Sequence, residues 1–567
     1  MPCKLRLMRR SLALILLTAG FSPPITAQTP ASSDQVVSAL EDSIVSWMER
    51  DSILGLSVAI VDGDTLLWAQ GFGFTDQTRS DDVTPETVFS LQSISKTYTA
   101  AGFLAAVQRG WFGLDEPMRV VWPEFSVRSR VDPGDADRIT YRQLLAHRSG
   151  LPHEAPRGNN FDPCACLFAE HVESIRDVWL LTPPGTRYAY SNLGYDLLAY
   201  ALTLRSGESF PTYQRRTLFD PLGMNASTYD FDEAIHSASF ARGQIPGGDA
   251  PLLRVPMTGA GGMYSTVLDM ARFISFALRN GTTTTDPIDR FGLRSMATVQ
   301  FPVDGQIGGY GLGAFTRRWR GAMRIWHAGG GYGYTTQQDW VPAYHLGVVV
   351  LTNDGLNGAV AGRVANMALD MLADLHRLPV DSDPPPYASL GHSIGLPLER
   401  LRSLTGNYRS YGGLWTFAIN QGRLRVRTPG GSERDLVARN PTEFTDGLDR
   451  YRFHLDPSGQ GAWIEDLGDN GQDTFVLNER PGEPSGPGKA EWANLLGDYW
   501  GEVYGQPISV TITQRNGYLW ASTRGGSKLI EYAPGLFFTV WGESLEFRGD
   551  TLRLRSASFV ARRSSSD

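Results

Sequence analysis

The N-terminal part of the chain switches from helical to strand-like spacing of its apolar residues. After Ser33 and Asp34, a good N-cap pair, they recur at helical spacing: Val36, Val37, Leu40, Ile44, Trp47 and Met48. Two β-rich runs at 55–61 and 65–71 then flank an Asp-Gly turn, which is typical of a hairpin. The alanine-rich run 100–109 predicts a further helix that ends near Gly110.

The spacing changes twice more before residue 380. From about 113 to 320 it predicts mostly helix and loop, with one helical run at 195–204. Strand-like runs return at 323–327, 335–341 and 346–351, and a helix at 359–372 closes the region. The glycine-rich segment 328–333 (Ala-Gly-Gly-Gly-Tyr-Gly) breaks the first of these strands, and a strand that ends in glycines lets its backbone approach a ligand closely.

The tail of the chain repeats itself. The run 404–408 (Leu-Thr-Gly-Asn-Tyr) matches 495–499 (Leu-Leu-Gly-Asp-Tyr), and Gly-Gly-Ser recurs at 430–432 and 525–527. Short alternating runs such as 415–419 are strand-like, and the segment 481–488, rich in proline and glycine, separates the two copies. We therefore predict two small antiparallel β-barrels. The sequence leaves open whether they contact the rest of the protein near its cleft.

Length and composition divide the chain further. At 567 residues it is too long for one core, and 41% hydrophobic with 20% charged residues is ordinary for folded protein. Positive residues followed by the apolar run 12–17 and a small-residue site at 25–27 predict a cleaved secretory signal. The predicted parts are a signal peptide at 1–27, a main domain at 34–378, a linker at 379–398, a barrel at 399–480, a linker at 481–490 and a barrel at 491–567.

Charge limits the possible partners. Loss of the signal's four positive charges would take the formal net charge of −8 to about −12, and an acidic chain argues against nucleic acid as a partner. No second apolar run is long enough for a stable membrane span in the mature protein. We expect an exported protein, periplasmic or secreted, that acts on a small-molecule or peptide substrate without a cofactor. Its oligomeric state is unknown.

Candidate chemistry begins with Ser93-Ile94-Ser95-Lys96. If Ser93 opens the helix, Lys96 lies on the same face one turn later and its ammonium reaches the hydroxyl. A serine hydroxyl is a weak nucleophile until a neighbouring group removes its proton. Helix N-terminal N–H groups would also stabilise a negative oxygen beside Ser93. Ser95 faces elsewhere and is the weaker candidate.

Two other segments bear candidate residues. Tyr190 and Asn192 precede a helix, although a Tyr-Ser-Asn tripeptide by itself is usually a turn. His327 ends a strand before a glycine run and by itself is as consistent with a structural histidine as with a functional one. Cys164 and Cys166 are too close for an easy disulfide, and with His153 and His171 nearby a metal site is conceivable. Cys-x-Cys is not the usual zinc spacing, so two ordinary thiols in a surface loop are favoured and no metal is predicted.

Taken together and in this order, Ser93-x-x-Lys96, Tyr190-Ser191-Asn192 and His327-Ala328-Gly329 strongly resemble the three motifs of the penicillin-recognising serine hydrolases. That family includes class C β-lactamases, D,D-carboxypeptidases, D-aminopeptidases and certain esterases. The resemblance covers about residues 34–378. It implies an α/β domain, an antiparallel sheet flanked by helices with an inserted helical subdomain, and the two barrels make the layout similar to that of bacterial D-aminopeptidases.

The resemblance also implies roles for the matching residues. Ser93 is the nucleophile, Lys96 helps to remove its proton, and Tyr190 is the general base and later the acid, its phenolate favoured by the adjacent Lys96. Asn192 orients Lys96 and the substrate amide. The backbone N–H groups of Ser93 and Gly330 form an oxyanion hole. Substrate binding falls to Asn192, His327 and Gly329.

One residue departs from the family pattern. Most β-lactamases and penicillin-binding enzymes have lysine at the position of His327, where its fixed positive charge helps to bind a substrate carboxylate. A histidine with the ordinary pKa near 6.5 is mostly neutral at pH 7. The expected activity is therefore that of the esterase or D-aminopeptidase branches. β-Lactamase or D,D-carboxypeptidase activity is the alternative, and a catalytically silent binding or sensor protein of the same fold is a second one.

Overall fold

In the computed structural model, the structure describes residues 32–158, 166–283, 285–302, 308–355, 359–380, 394–410, 413–447, 449–467, 474–483, 485–503, 506–522, 526–554 and 559–563. The predicted signal peptide at 1–27 lies outside these residues, as does most of the predicted linker at 379–398. The proposed domain boundaries therefore remain predictions. Within the described residues, no helix is both long and apolar enough to cross a bilayer.

A seven-stranded antiparallel sheet forms the centre of the first domain, in the order β2-β1-β11-β10-β9-β8-β7. In chain order the strands of this domain are β1 (Gly55–Asp62), β2 (Thr65–Gly73), β3 (Phe89–Ser90), β4 (Gln244–Ile245), β5 (Gly248–Asp249), β6 (Tyr264–Ser265), β7 (Gly309–Tyr310), β8 (Phe315–Trp319), β9 (Ala322–Gly331), β10 (Tyr334–Val341) and β11 (Leu346–Thr352). Strands β3 with β6 and β4 with β5 form two separate ribbons.

Helices cover the sheet and fill the long insertion between β2 and β7. They are α1 (Ser33–Asp51), α2 (Ser95–Gln108), α3 (Tyr141–Leu145), α4 (Phe168–Glu173), α5 (Asn192–Ser206), α6 (Phe210–Gln214), α7 (Asp220–Leu222), α8 (Phe231–Ile235), α9 (Thr258–Gly261), α10 (Val267–Leu278), α11 (Arg290–Ala297) and α12 (Val360–Leu375). The predicted α/β class with an antiparallel sheet and flanking helices is confirmed.

Both faces of the central strands are buried, which explains their continuous apolar sequence. Alternate residues of β1 and β11, including Val58 and Val348, pack with α1 and α12 on one face. The intervening residues, including Ala59 and Val349, join the larger core that contains α2, α5 and α10. Since each fully buried aliphatic side chain contributes about 1.5–3 kcal/mol, the larger core holds α2 against the sheet, and the other core holds α1 and α12 on the opposite face.

The tail forms two barrels, as predicted. Nine described strands make a nearly closed antiparallel barrel: β12 (Gly406–Ser410), β13 (Gly413–Asn420), β14 (Arg423–Arg427), β15 (Glu433–Asp435), β16 (Val437–Ala438), β17 (Glu443–Thr445), β18 (Arg450–Leu455), β19 (Gly461–Asp466) and β20 (Thr474–Glu479). A short helix at Leu398–Arg402 precedes it. Eight strands close a second barrel: β21 (Gly497–Val503), β22 (Gln506–Arg515), β23 (Tyr518–Ala521), β24 (Ser527–Ala533), β25 (Leu536–Thr539), β26 (Ser544–Arg548), β27 (Thr551–Leu554) and β28 (Phe559–Arg563).

Two local predictions need correction. Helix α1 is capped by Ser32, whose side chain accepts a hydrogen bond from the N–H of Gln35, one residue earlier than the predicted pair Ser33 and Asp34. The glycine run after His327 does not break its strand, because β9 continues to Gly331 and pairs with β10 along that length. Gly329 serves close packing there rather than termination, because a Cβ on it would lie 2.1 Å from the Leu91 carbonyl oxygen.

Candidate active site

Ser93 and Lys96 lie on the first turns of one continuous helical segment. Ser93 belongs to a short 3₁₀ turn, Gln92–Ile94, that runs directly into α2. The Lys96 Nζ lies 3.3 Å from Ser93 Oγ and donates a second hydrogen bond to the Ala260 carbonyl at 2.7 Å. Lys96 is fully buried, whereas Ser93 is half-buried and within reach of a substrate. This is the geometry that activation of a serine nucleophile requires.

Burial changes the protonation of Lys96. The loss of hydration lowers its pKa to about 7, although the carboxylates of Asp196 and Glu154 oppose the shift. Lys96 is therefore much more readily neutral near pH 7 than an ordinary lysine, and a neutral amine accepts a proton where an ammonium does not. Lys96 can thus serve as a proton acceptor beside Ser93 as well as a positive charge.

Tyr190 lies over Lys96 at the entrance to α5. The Lys96 Nζ is 4.9 Å from the centre of the Tyr190 ring, within the range of a cation–π contact. The other face of the loop contacts His147, whose ring centre is 4.1 Å from that of Tyr190. Tyr190 is half-buried, so the structure brings it together with Ser93 and Lys96 at an accessible position.

Asn192 begins α5 and is 3% exposed. Its Nδ2 donates to Glu154 at 2.8 Å, and its Oδ1 is buried without a hydrogen-bond partner in the described part of the chain. A buried acceptor that stays unpaired costs about 1–3 kcal/mol, so this oxygen is suited to receive a donor from a substrate. Lys96 Nζ donates to Ser93 and Ala260, and the role of Asn192 in orienting Lys96 stays a prediction. Its role towards the substrate stays a prediction.

Strand β9 places the third motif beside the nucleophile. A Cβ on Gly329 would lie 2.1 Å from the Leu91 carbonyl oxygen, so only glycine lets the strand pack against the Ser93 turn. Gly330 is exposed, and a Cβ there would meet no atom within 4 Å. The strand therefore faces open space at the residue predicted to provide an oxyanion N–H. That role stays a prediction.

His327 is 1% exposed and is neutral. Its Nδ1 donates to the Ala328 carbonyl at 2.7 Å, which leaves Nε2 as the acceptor for the Tyr310 hydroxyl at 3.1 Å. Burial, and then the nearby charge of Lys96, lower the pKa of His327 to about 3. The site thus has an uncharged, internally bonded imidazole at this position. Direct contact between His327 and substrate stays a prediction.

Several residues of the site were given no role on the basis of sequence. His147, with φ of +55°, accepts the Ala189 N–H on its carbonyl oxygen at 2.8 Å and the Ser191 N–H on Nδ1 at 3.0 Å. It therefore bonds to both residues that flank Tyr190. A histidine in a helix-ending Leu-Ala-His-Arg-Ser-Gly run gives no signal of this contact, because its partners lie more than 40 positions away.

The second group is the buried pair of Asp196 and His171. Asp196 Oδ1 accepts the N–H of Ala260, the residue whose carbonyl binds Lys96, and Oδ2 lies 3.1 Å from His171 Nε2. Burial alone would lower the pKa of His171, but the hydrogen bond and charge of Asp196 raise it. The Asp196 carboxyl therefore stands behind Lys96; burial raises its pKa, and the hydrogen bond and charge of His171 oppose that shift. The one sequence signal that Asp196 lies near the site is that it follows Asn192 by four residues, about one helical turn.

The cysteine loop differs from its prediction. Cys166 is disulfide-bonded, so the expectation of two ordinary thiols is wrong for Cys166; the other two cysteines of the chain, Cys3 and Cys164, lie outside the described residues. The backbone carbonyl of Arg157 and the carboxylate of Asp196 occupy the two nitrogens of His171. In the described ranges, no group of three or more His, Cys, Asp and Glu residues is arranged to hold a metal ion.

A cavity of about 70 Å³ is lined in part by residues that are next to Ser93 and Ala260 in the chain. Gln92, the residue before Ser93, and Gly261, the residue after Ala260, form part of its wall. We call this cavity the aromatic pocket, because its lining includes Tyr229, Phe231, Phe240, Tyr264, Tyr332 and Tyr334. None of the described residues that line it is formally charged. Such a wall suits an apolar or aromatic group with a few polar contacts from tyrosine hydroxyls.

The carboxyl behind Lys96 leads to a testable expectation for pH dependence. Because Asp196 raises the pKa of Lys96, Asp196→Asn should lower it, and the acid limb of kcat/KM should move to lower pH by of the order of one unit. The limb reports the free enzyme, so it is measured as kcat/KM from pH 5 to 9. Asp177→Asn, at an exposed ion pair with Arg128, is the matched control. An unshifted limb in Asp196→Asn would show that the titrating group is not Lys96.

Comparison with known proteins agrees with this geometry. The beta-lactamase family model matches residues 40–372, more than half of the chain. The unguisins hydrolase ungD' of Aspergillus campestris is 29% identical over 355 residues, which span 59% of this chain and 65% of that protein. The D-alanyl-D-alanine-carboxypeptidase/endopeptidase AmpH of Escherichia coli K12 is 26% identical over 64% of this chain and 99% of its own length.

A solved structure shares the fold as well. The octameric penicillin-binding protein homologue from Pyrococcus abyssi superposes with a TM-score of 0.53 at 23% identity, covering 77% of this chain and 99% of that one. At this identity the likeness establishes the fold alone. The family match does not depend on it, since it spans the three motifs and the sheet that positions them. The chain therefore belongs to the beta-lactamase family of serine hydrolases.

Proposed function

We propose that this protein is an exported serine hydrolase that acts through an acyl-serine intermediate on esters or D-amino-acid amides and peptides. The observation that supports this most directly is the pairing of Ser93 with a buried Lys96 whose pKa is about 7. The proposal of export rests on the N-terminal pattern at 1–27, which lies outside the described residues.

The chemistry follows from the positions of these groups. Ser93 Oγ transfers its proton to the Tyr190–Lys96 pair as it attacks the substrate carbonyl carbon. The tetrahedral intermediate collapses when the leaving oxygen or nitrogen takes that proton, which produces the acyl-serine ester. A water molecule then attacks in the same way, a carboxylic acid leaves, and the Ser93 hydroxyl is restored. N–H groups at Ser93 and Gly330 would stabilise the oxyanion.

Two features favour uncharged substrates. His327 is neutral and internally bonded, so it supplies no fixed cation for a substrate carboxylate. The aromatic pocket beside Gln92 is uncharged among its described residues and suits an apolar side chain on the acyl group. We include peptides among the proposed substrates because two relatives are named as an unguisins hydrolase and a D-alanyl-D-alanine-carboxypeptidase/endopeptidase.

D,D-Carboxypeptidase or β-lactamase activity is the second candidate. The E. coli relative, which this chain covers over 99% of its length, favours it by name. A panel separates the two: short-chain aryl esters, D-amino-acid amides with apolar and with charged side chains, D-Ala-D-Ala peptides and a chromogenic cephalosporin. We expect esters or apolar D-amides to be turned over fastest. A cephalosporin hydrolysed as fast as any of them would refute the argument from His327.

His327→Lys tests the charge argument directly. A desolvated charge-assisted contact contributes about 1.5–3 kcal/mol, so the ratio of cephalosporin to aryl-ester kcat/KM should rise roughly ten- to a hundredfold. Absolute rates should fall, because the Tyr310 hydroxyl loses its acceptor. The ratio is therefore the quantity to measure.

Two control variants show whether a change in that ratio comes from a positive charge at position 327. His327→Gln is neutral and should keep the preference for esters. His376→Lys, at a partly exposed histidine paired with Asp62, adds the same charge away from the site and should leave the ratio unchanged. An unaltered ratio in His327→Lys would remove the missing cation as the reason for ester or amide specificity.

A separate measurement tests the alternative that the protein is a catalytically silent binding protein of this fold. A labelled phosphonate that reacts with activated serines should modify the wild-type protein once, at Ser93. A silent protein would leave Ser93 unlabelled, whatever the substrate panel shows.

A further inference from the structure

Both C-terminal barrels cover the loop that leads into Tyr190. We propose that the barrels hold this loop in place for catalysis, and that Trp541 is a positioning residue for Tyr190. The catalytic part of this inference rests on the proposed function, because it takes Tyr190 as the group that moves the proton. The contact itself does not depend on that function.

The second barrel contributes the buried part of the interface. Trp541, between β25 and β26, forms a small apolar cluster with Leu181 and Ala189 of the helical region, and all three are at most 6% exposed. At the next residue, Gly542, φ is +110° and a Cβ would lie 2.7 Å from the Leu181 carbonyl oxygen. Only glycine permits so close an approach. Since Ala189 directly precedes Tyr190, the cluster ends at the catalytic loop.

Charged and aromatic side chains orient the same interface. The Arg187 guanidinium lies 5.4 Å from the centre of the Trp541 ring, and that of Arg130 lies 4.1 Å from the Phe538 ring. Trp179 meets Phe538 edge-on at 5.5 Å between ring centres. Cation–π and edge-to-face contacts depend on angle as well as distance. These contacts therefore fix the orientation of the second barrel on the helical region.

The first barrel contacts the same loop from β20. Thr474 Oγ1 donates to the carbonyl of Tyr188 at 3.4 Å, and Val476 packs on the Trp541 cluster. In the same strand, Asn478 Oδ1 accepts the backbone N–H of Lys528 from the second barrel at 3.0 Å. The two barrels are thus bonded to each other where they meet the catalytic loop, and a disturbance in either one reaches that loop.

On its other side, the loop that leads into Tyr190 contacts His147. Its carbonyl oxygen and Nδ1 accept the N–H groups of Ala189 and Ser191, and its ring packs on Tyr190. Ala189 therefore lies between His147 and Trp541. Loss of the indole would leave a void next to Ala189, and a void weakens the packing around it. The Tyr190 ring would then lose part of its fixed position beside Lys96 Nζ, and proton transfer by its hydroxyl depends steeply on that position.

Hydrogen exchange in the full-length protein tests the contact without any assay of activity. Trp541→Ala should increase amide exchange at Ala189 and Ser191 at least tenfold, while exchange in the core of the second barrel, for example at Leu519 and Leu545, stays unchanged. Trp500→Ala is the matched control, since Trp500 is an exposed tryptophan of the same barrel. Unchanged exchange at Ala189 and Ser191 in folded Trp541→Ala would overturn the proposal.

Kinetics test the catalytic part. Trp541→Ala should lower kcat for the best substrate, and the rate of phosphonate labelling of Ser93, at least tenfold with little change in KM, and Trp541→Phe should restore most of the loss. In a double-mutant cycle, Trp541→Ala should have little further effect in a Tyr190→Phe background, because it acts through that hydroxyl. An equal loss in both backgrounds would show that Trp541 acts elsewhere.

Failure of the function and failure of the inference give different results. If the wild type turns over no member of the panel but exchange at Ala189 and Ser191 still rises in Trp541→Ala, the barrels hold the loop and the proposed function is wrong. If the wild type is active and both exchange and kcat are unaffected by Trp541→Ala, the function stands and the positioning role is wrong.

Discussion

Ser93→Ala is expected to abolish hydrolysis, with kcat reduced by of the order of 10⁴ to 10⁶, as for other nucleophiles that act as one unit with their base. The hydroxyl of Ser95, the other serine of this segment, does not take its place. Ser95 is fully buried, donates to the Gln92 carbonyl at 2.6 Å and accepts the Met263 N–H at 3.0 Å. Its oxygen is held away from the site by both contacts.

Ser95→Ala is accordingly the matched control. It deletes the same atom two residues away and should keep phosphonate labelling and substrate turnover, at a cost in stability of about 1–3 kcal/mol, because the buried Met263 N–H loses its acceptor. Intact mass after labelling gives the result for both variants. Labelling of the Ser93→Ala protein, or no labelling of the Ser95→Ala protein, would show that Ser93 is not the nucleophile.

The parts of the site that sequence predicted are those linked by short spacing or by motif order. Ser93 and Lys96 are one helical turn apart, so a helix start at Ser93 is enough to bring their side chains together. The strands around His327 and the repeated barrels follow from period-two alternation. The three segments meet because α5 packs on α2 and β9 packs on the 3₁₀ turn that contains Ser93. Motif order implied this meeting through resemblance, and no spacing could show it.

Other features depend on tertiary contacts between distant residues. The low pKa of Lys96 results from burial by Ala260 and its surroundings, and its partial recovery from Asp196 and Glu154. The neutrality of His327 was predicted from the ordinary pKa of histidine, whereas burial is what secures it. His147 and Trp541 contact the Tyr190 loop from 43 positions before it and about 350 positions after it. No local pattern encodes such contacts.

Glycine was the residue type most easily misinterpreted. The run after His327 suggested a strand end, yet Gly329 is the point where β9 packs on the Leu91 carbonyl and the strand continues. A strand glycine has two opposite meanings, termination or close approach. The partner backbone decides between them, and that partner lies more than 200 residues earlier in the chain.

Tyr190→Phe and Lys96→Met should each reduce kcat/KM at least roughly a hundredfold, the lower range for groups that transfer a proton. Phenylalanine keeps the ring that packs on His147 and lies over Lys96, so the loss measures the hydroxyl alone. Methionine fills the buried space of Lys96 without an amine. Rates of phosphonate labelling and of ester turnover from pH 5 to 9 give both effects.

The pH profiles distinguish the two groups as bases. With its pKa near 7, Lys96 becomes neutral as pH rises, and the wild-type rate should rise through this region. If Tyr190 accepts the Ser93 proton, Tyr190→Phe is slow at every pH, because a neutral Lys96 does not replace it. Near-normal turnover by Tyr190→Phe, with the acid limb near pH 7 retained, would instead make Lys96 the base. In that case Tyr190 would be a packing residue between His147 and Lys96, and the proton would pass across the 3.3 Å contact from Ser93 Oγ to Nζ.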